Sequence, residues 1–150
     1  VVRDALAAGV PVAVYGVGWD DLVPAEAIAG EFVPNADLPA AYAAAGVVLN
    51  DHWADMAEQG FLSNRLFDAA ATGCRVLSDP ATGLAEVFGD VVVTYEDPAA
   101  LGGLLTGDLD AGFPSRAQRL ALADTVAREH SFDARAAELI ACAERLGSRR

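Results

Sequence analysis

The chain has 150 residues and a formal net charge of −12, from 22 acidic and 10 basic side chains. Nucleic acids and anionic membranes attract clustered positive charge, so this balance argues against both as partners. Although 53% of the residues are hydrophobic, no run approaches the roughly 18 apolar residues that a membrane span needs. All ten basic residues are arginine, which excludes Schiff-base chemistry and a phosphate-binding Walker lysine within these residues.

Length, cysteine usage and the first residues indicate the size and surroundings of the protein. The length suits one domain, or half of a two-domain enzyme, with a substantial core. Cys74 and Cys142 have neither metal-ligand spacing nor the density of a disulfide scaffold, so we expect both to be reduced and packed, as in a cytoplasmic protein. The sequence begins Val1-Val2-Arg3-Asp4, without an initiator methionine or a signal peptide, which predicts a piece of a longer protein.

Short apolar runs alternate with helical segments along most of the chain. The predicted strands are Val12 to Tyr15, Phe32-Val33, Val47 to Leu49, Arg75 to Ser78 and Val91 to Tyr95. The predicted helices are residues 1–8, Asp37 or Pro39 to Ala45, a helix within Gly60 to Gly73, Leu84 to Phe88, Pro98 to Leu105, Ser115 to about Arg128 and Phe132 to about Leu146, with a flexible break at Gly107 to Pro114. This alternation predicts an α/β fold, a Rossmann-like parallel sheet flanked by helices, with a helical C-terminal segment.

The helix predicted within Gly60 to Gly73 has two distinct faces. At about 3.6 residues per turn, Arg65, Asp68 and Thr72 fall within about 60° of one another. A separate apolar line for the core is formed by Leu62, Leu66 and Ala70.

The polar face of this helix suits a nucleotide diphosphate. Ser63 or Asn64 can cap the first turn, whose N–H groups and positive dipole end attract an anion. Arg65 can bind phosphate through charged hydrogen bonds, and Asp68 can accept hydrogen bonds from ribose hydroxyls. The alternative is an ordinary exposed ion pair between Arg65 and Asp68.

Small or polar residues follow several predicted strands. Gly16 and Gly18 follow one strand, residues 50–53 follow another, and Thr82-Gly83 lies in the loop after a third. Because ligands of open parallel sheets bind at the carboxyl ends of the strands, we expect these loops to surround one site together with the Arg65 helix.

One histidine and two tryptophans are further candidates. His52, with Asp51 and Asp55 close in sequence, either contacts the group that is transferred or acts as an acid or base, or is a loop histidine bonded to a neighbouring carboxylate. Trp19 and Trp53 either line a sugar pocket or pack in the core or at a domain interface.

The run from Val47 to Asp79, followed by Thr82 to Glu86, resembles the donor-binding C-terminal half of GT-B glycosyltransferases, in particular the bacterial group related to spore-coat and maturation glycosyltransferase-like proteins. The glycine turn at residues 16–18 and the helix start at residues 131–135 are similar to further segments of these enzymes. The resemblance implies transfer of a sugar from a nucleotide-sugar donor to an acceptor, with no cofactor and no obligatory metal. It also implies a separate N-terminal acceptor domain, so that this segment is inactive alone.

Carried over residue by residue, the resemblance implies a donor site around the Arg65 helix. The donor-binding residues implied in this way are Gly16, Gly18, Ser63, Asn64, Arg65, Asp68, Thr82, Gly83 and Leu84. Asp68 stands where the family usually has a glutamate that binds the ribose. The family's upstream acidic residue, eight positions before Asp68, falls on Gly60. Arg65 and His52 are the catalytic candidates.

Two other classes of function remain open. A nicotinamide-binding domain would use Gly16 and Gly18, but the third glycine of its fingerprint falls at Asp21, where no helix is predicted. A non-catalytic module would keep the glycosyltransferase-like fold for binding or for packing against a partner. Asp68 and Gly60 favour this alternative because both depart from the residues that the family usually has at these positions.

Overall fold

The computed structural model describes residues 1–147. Its helices are α1 (Val2–Ala7), α2 (Leu38–Ala44), α3 (Ala54–Gln59), α4 (Asn64–Ala70), α5 (Leu84–Phe88), α6 (Pro98–Thr106), α7 (Leu109–Gly112), α8 (Arg116–Glu129) and α9 (Phe132–Gly147), with a 3-10 turn at Ala25–Ala27. Its strands are β1 (Val14–Tyr15), β2 (Ile28–Gly30), β3 (Val48–Asn50), β4 (Val76–Ser78) and β5 (Val93–Thr94).

The strands form two parallel sheets. Strands β1 and β2 pair with each other, and the other three form a sheet in the order β3-β4-β5. In the larger sheet Asn50 lies opposite Ser78, and Ser78 lies opposite Thr94, so the three strands end at one edge. The predicted α/β fold with parallel strands flanked by helices is confirmed, although its strands divide into two hydrogen-bonded sheets.

Strand β4 lies at the centre of the larger sheet and contacts a core on each face. Val76 packs with residues of α4 and α5, including Leu66 and Phe88. Leu77, the next residue, packs on the opposite side with Ala5 of α1 and Leu101 of α6. Successive side chains of a strand point to opposite faces. The sheet is therefore covered by helices on both sides, and α4 is held against one of them.

Several predicted elements differ from the observed ones. The strand predicted at Phe32-Val33 is wrong: the observed strand is Ile28–Gly30, and Phe32 is 72% exposed. Alanine and glycine favour strands weakly, so the pairing of β2 with β1 determines this strand more than local propensity does. The predicted break at residues 107–114 contains the short helix α7, whose N-cap Asp108 accepts a hydrogen bond from the Asp110 N–H.

Helix α9 lies on the outside of the protein. None of its residues is buried, and Phe132, Leu139 and Ile140 are all exposed. Cys142 is exposed on this helix, so the expectation that both cysteines are packed is wrong for Cys142, whereas Cys74 is partly buried. Within residues 1–147, no helix is both long and apolar enough to cross a membrane.

Candidate functional site

Polar residues from two neighbouring strands meet at the carboxyl edge of the larger sheet. Asn50 is the last residue of β3, and Ser78 is the last residue of β4. Both side chains are fully buried, and the Asn50 Nδ2 amide donates to the Ser78 Oγ over 3.0 Å. The Ser78 Oγ in turn donates to the Asp79 Oδ1 over 3.2 Å. The parallel register therefore brings residues from two separate strand ends close enough to form one hydrogen-bonded group.

Helix α4 begins beside this group. Of the two predicted caps, Ser63 and Asn64, Ser63 is the N-cap, and the Ser63 Oγ accepts from the Arg65 N–H over 3.3 Å. Leu66 and Ala70 are buried in the core, as expected for the apolar face of the helix. This packing leaves Arg65 exposed at the start of the helix, next to the sheet edge.

The N–H groups at the start of α4 are largely bonded within the protein. The Ser63 N–H donates to the His52 Nε2, the Arg65 N–H donates to the Ser63 Oγ, and the Leu66 N–H donates to the Ser63 carbonyl. The expectation that free N–H groups of this turn attract an anion is therefore wrong for these three groups. The exposed cation beside this turn is the Arg65 side chain.

The Arg65 guanidinium contacts a neutral side chain. Its Nη1 donates to the Asn50 Oδ1 over 3.3 Å. In the part of the chain that the structure describes, Arg65 forms no ion pair with Asp68, although the two residues are three apart on α4. The exposed ion pair that the spacing also allowed is therefore absent from this structure, and the positive charge of Arg65 remains uncompensated by hydrogen-bonded carboxylates.

His52 is bonded to Asp79 rather than to either acidic neighbour in sequence. Its Nδ1 lies 2.6 Å from the Asp79 Oδ1, and its backbone N–H donates to the Asp79 Oδ2 over 3.0 Å. Because the Nε2 accepts from the Ser63 N–H over 3.3 Å, we assign the proton to Nδ1. The His52 side chain is 0% exposed. Both ring nitrogens are thus engaged inside the protein, and the carboxylate partner expected at Asp51 or Asp55 is Asp79.

Asp68 and Tyr42 lie close to Arg65. Asp68 is exposed on α4, one turn after Arg65. Burial raises the pKa of the Tyr42 hydroxyl, with the Arg65 guanidinium opposing this shift and the Asp68 carboxylate adding to it. The phenol of Tyr42 is therefore a neutral hydrogen-bonding group beside a cation and a carboxylate. Across residues 1–147, no three His, Cys, Asp or Glu side chains are placed to hold a metal ion.

The loop after β4 packs against α3. The Thr82 N–H donates to the Ala57 carbonyl over 3.0 Å, and Gly83 is the N-cap of α5. Gly60 ends α3 with φ +72°, and a Cβ there would lie 3.2 Å from the Thr82 carbonyl oxygen. Glycine adopts this left-handed conformation most readily, so the position where the resemblance implies an acidic residue is occupied here by a turn residue.

The structure does not connect all of the predicted donor-site residues. Ser63 and Arg65 are hydrogen-bonded to His52 and Asn50 at the sheet edge. Leu84 is the first residue of α5, and its side chain is buried in the core. Gly16 and Gly18 lie in the turn after β1, and within residues 1–147 no hydrogen bond joins them to the Arg65 group.

Sequence reasoning missed two residues of this edge, Asp79 as a bonding partner and Tyr95. The Tyr95 N–H donates to the Ser78 carbonyl over 3.2 Å, which places Tyr95 directly after β5 beside the polar group. A signal was present in the sequence, because Asp79 follows a run that was predicted as a strand and Tyr95 ends another. The register of the parallel strands, which decides the contacts, was not visible.

Tyr95 is expected to titrate at unusually high pH. Burial, followed by the carboxylates of Asp79, Asp51 and Asp4, raises the pKa of Tyr95 to about 12. An unfolded tyrosine loses its proton near pH 10. The stabilising contribution of the protonated phenol is therefore complete below about pH 10 and is lost as the pH rises towards about 12. Ultraviolet absorbance titration of the chain and of Tyr95→Phe isolates this step. If the absorbance step that Tyr95→Phe removes lies near pH 10, the pKa of Tyr95 is not raised and the expectation is contradicted.

A comparison with protein families assigns the chain to a family. The sequence model of a family described as glycosyl transferase-like matches residues 2–141, from α1 into α9. Comparisons with curated proteins and with solved structures gave no significant match. The family match includes α4 and every strand of both sheets. The chain therefore belongs to the glycosyl transferase-like family.

Proposed function

We propose that this chain binds the nucleotide-sugar donor of a glycosyltransferase and that Arg65 binds the donor's diphosphate. The observation that supports this role most directly is the guanidinium of Arg65, exposed at the carboxyl edge of the sheet and bonded to the neutral Asn50. Ligands of open α/β sheets bind at this edge. Membership of a glycosyl transferase-like family supports a sugar-transfer reaction.

The proposed chemistry requires little covalent help from the protein. When the bond between sugar and diphosphate breaks, negative charge develops on the departing diphosphate. A guanidinium fixed in position stabilises that charge through charged hydrogen bonds. The chain has a net charge of −12, so an anionic donor needs such a local cation to offset the surrounding acidic groups.

Most of the other donor-site residues are proposed to contact different parts of the donor. Ser63 and Asn64 lie beside the phosphates, and Asp68, one turn further, accepts hydrogen bonds from the ribose. Thr82 and Gly83 and the glycines at residues 16 and 18 lie along the rest of the donor, whereas the buried side chain of Leu84 does not contact it. Of the two roles considered for His52, its buried ring and its bonds to Asp79 and Ser63 support the structural one.

We propose the two-domain arrangement of GT-B enzymes, in which this chain is the donor-binding half and a separate domain binds the acceptor. As in the enzymes that the sequence resembles, the proposed transfer requires no obligatory metal. Cys74 and Cys142 are both free thiols, which supports a reducing, cytoplasmic location.

A non-catalytic binding module is a second candidate, and Gly60 favours it. The family's acidic residue at this position is replaced by a glycine that packs against the Thr82 carbonyl, where a side chain would be strained. A module of this kind would bind the nucleotide without transferring sugar. A nicotinamide-binding domain is less well supported, because β1 is followed by a turn and a 3-10 segment rather than by an α-helix.

Replacing Arg65 by alanine is expected to weaken binding of the nucleoside diphosphate by about 10- to 150-fold, because one charged hydrogen-bonding group contributes about 1.5–3 kcal/mol. Isothermal titration calorimetry of the chain with UDP, GDP, ADP and NAD identifies the nucleotide and measures the loss. Arg116→Ala, which removes an exposed arginine from the start of α8, is the matched control and should leave the Kd unchanged.

The calorimetric outcomes separate the candidates. Saturable binding of one diphosphate supports the donor site if Arg65→Ala weakens it and Arg116→Ala leaves it unchanged. If a folded sample binds no diphosphate, Arg65 does not have the proposed role. Binding of NAD alone would support the nicotinamide alternative, and diphosphate binding without sugar transfer by the full-length protein would support the non-catalytic module.

A further inference from the structure

We infer that Asn50 is a positioning residue, which fixes the Arg65 guanidinium for the diphosphate without neutralising its charge. This inference rests on the proposed role of Arg65 in donor binding. It concerns a side chain that is 0% exposed at the end of β3 and that the donor itself does not need to touch.

One chain of hydrogen bonds runs from the Arg65 guanidinium into the protein, and each of its links has the same direction. The Arg65 Nη1 donates to the Asn50 Oδ1, the Asn50 Nδ2 donates to the Ser78 Oγ, and the Ser78 Oγ donates to the Asp79 Oδ1. Every link uses one donor and one acceptor, so no link can reverse without leaving a buried group unpaired. The chain of bonds therefore fixes the orientation of the Asn50 amide, with its oxygen towards Arg65.

The neutrality of Asn50 is central to this role. An exposed arginine side chain loses rotamer entropy when a ligand fixes it. A carboxylate at position 50 would fix it too, but would compensate its charge and compete with phosphate. The amide oxygen holds one N–H of the guanidinium without neutralising it, so the positive charge remains for an anion. Preorganisation of this kind lowers the cost of binding.

The same carboxylate fixes the start of α4 by a second route. Asp79 accepts from the His52 Nδ1, and the His52 Nε2 accepts from the Ser63 N–H. The first route ends at the side chain of Arg65 and the second at the backbone of Ser63, two residues away. Asp79 therefore sets both the position of the helix start and the direction of its arginine.

The test compares ligands with and without phosphate. Calorimetry is performed with pyrophosphate, with the nucleoside diphosphate that the chain binds in the panel above, and with the parent nucleoside. Asn50→Ala is expected to weaken binding of the two phosphate ligands by about 2- to 12-fold, the range for one hydrogen bond. Binding of the nucleoside should not change. In an Arg65→Ala background, Asn50→Ala should have no further effect, because the group that it positions is gone.

Ser78→Ala provides a second variant with a smaller change in volume. It removes the hydroxyl that orients the Asn50 amide and should lower affinity for the phosphate ligands in the same direction. Thermal unfolding of each variant confirms that the protein tested is folded.

Each result separates the inference from the proposed function. If the unmodified chain binds the diphosphate and Arg65→Ala loses it, but Asn50→Ala and Ser78→Ala bind normally, the positioning role is overturned while the donor site stands. Equal losses for nucleoside and diphosphate, or equal effects with and without Arg65, also overturn it by showing a general structural role. If neither pyrophosphate nor any diphosphate binds, the proposed function fails and the inference fails with it.

Discussion

Replacing Leu66 by alanine is expected to lower the free energy of unfolding by about 2–5 kcal/mol. Leu66 is 0% exposed and lies on α4 in the core cluster that includes Val76 and Phe88. The truncated side chain loses its apolar burial and leaves a cavity in a closely packed region. Urea unfolding followed by circular dichroism measures the change. Against a typical total of 5–15 kcal/mol for a domain, this loss is a large fraction of the stability.

Leu139→Ala is the matched control for this prediction. Leu139 is also a helical leucine, but it is 73% exposed on α9. Its truncation should change the free energy of unfolding by less than about 0.5 kcal/mol, as for most surface substitutions. Similar losses for the two variants would mean that α4 is not held by its apolar face. The position of Arg65 at the sheet edge would then need another explanation.

Local patterns predicted the parts of the site that depend on neighbours in sequence. The Ser63 cap and the burial of Leu66 and Ala70 follow from helical spacing and capping chemistry, which act within a few residues. The apolar strands β3 and β4 were recognisable because both faces of a covered parallel sheet are hydrophobic. The start of α4 and its orientation towards the core were therefore available from the sequence.

Contacts between distant segments could not be predicted from the sequence in the same way. His52 and Asp79 are 27 positions apart, and Asn50 and Ser78 are 28 apart. These pairs meet because β3 and β4 are in parallel register, with Asn50 opposite Ser78. A shift of one residue would move the polar side chains to the other face. The sequence indicated that polar residues follow these strands but not which of them would bond.

Gly60 illustrates a substitution whose reason is visible only in three dimensions. In the sequence it is a departure from the acidic residue expected by resemblance. In the structure its φ of +72° ends α3, and its Cα faces the Thr82 carbonyl of a different loop. A larger side chain would be strained there. The local geometry of the α3 turn thus accounts for the glycine, independently of any role in catalysis.

Replacing Asp79 by alanine is expected to lower the free energy of unfolding by about 2–4 kcal/mol, because buried donors that lose their acceptor cost about 1–3 kcal/mol each. Asp79 accepts hydrogen bonds from the His52 N–H, the His52 Nδ1 and the Ser78 Oγ. The His52 side chain is fully buried, so water cannot easily replace the lost carboxylate. Chemical unfolding at neutral pH measures the effect. Affinity for the diphosphate should also fall, because the start of α4 loses both chains of hydrogen bonds that connect it to Asp79.

Asp51→Ala is the matched control, since it removes the same side chain from the same edge of the sheet. Asp51 is 55% exposed, and its carboxylate contacts only the N-terminal amine, over 3.5 Å, among the described residues. Its removal should cost less than about 1 kcal/mol, as for other exposed ion pairs. In a His52→Ala background, Asp79→Ala should cost less than in the unmodified chain, with a coupling of about 0.5–3 kcal/mol. Additive losses, or equal losses for Asp51→Ala and Asp79→Ala, would show that the contribution of Asp79 is general surface charge rather than the bonds that hold His52 and the start of α4.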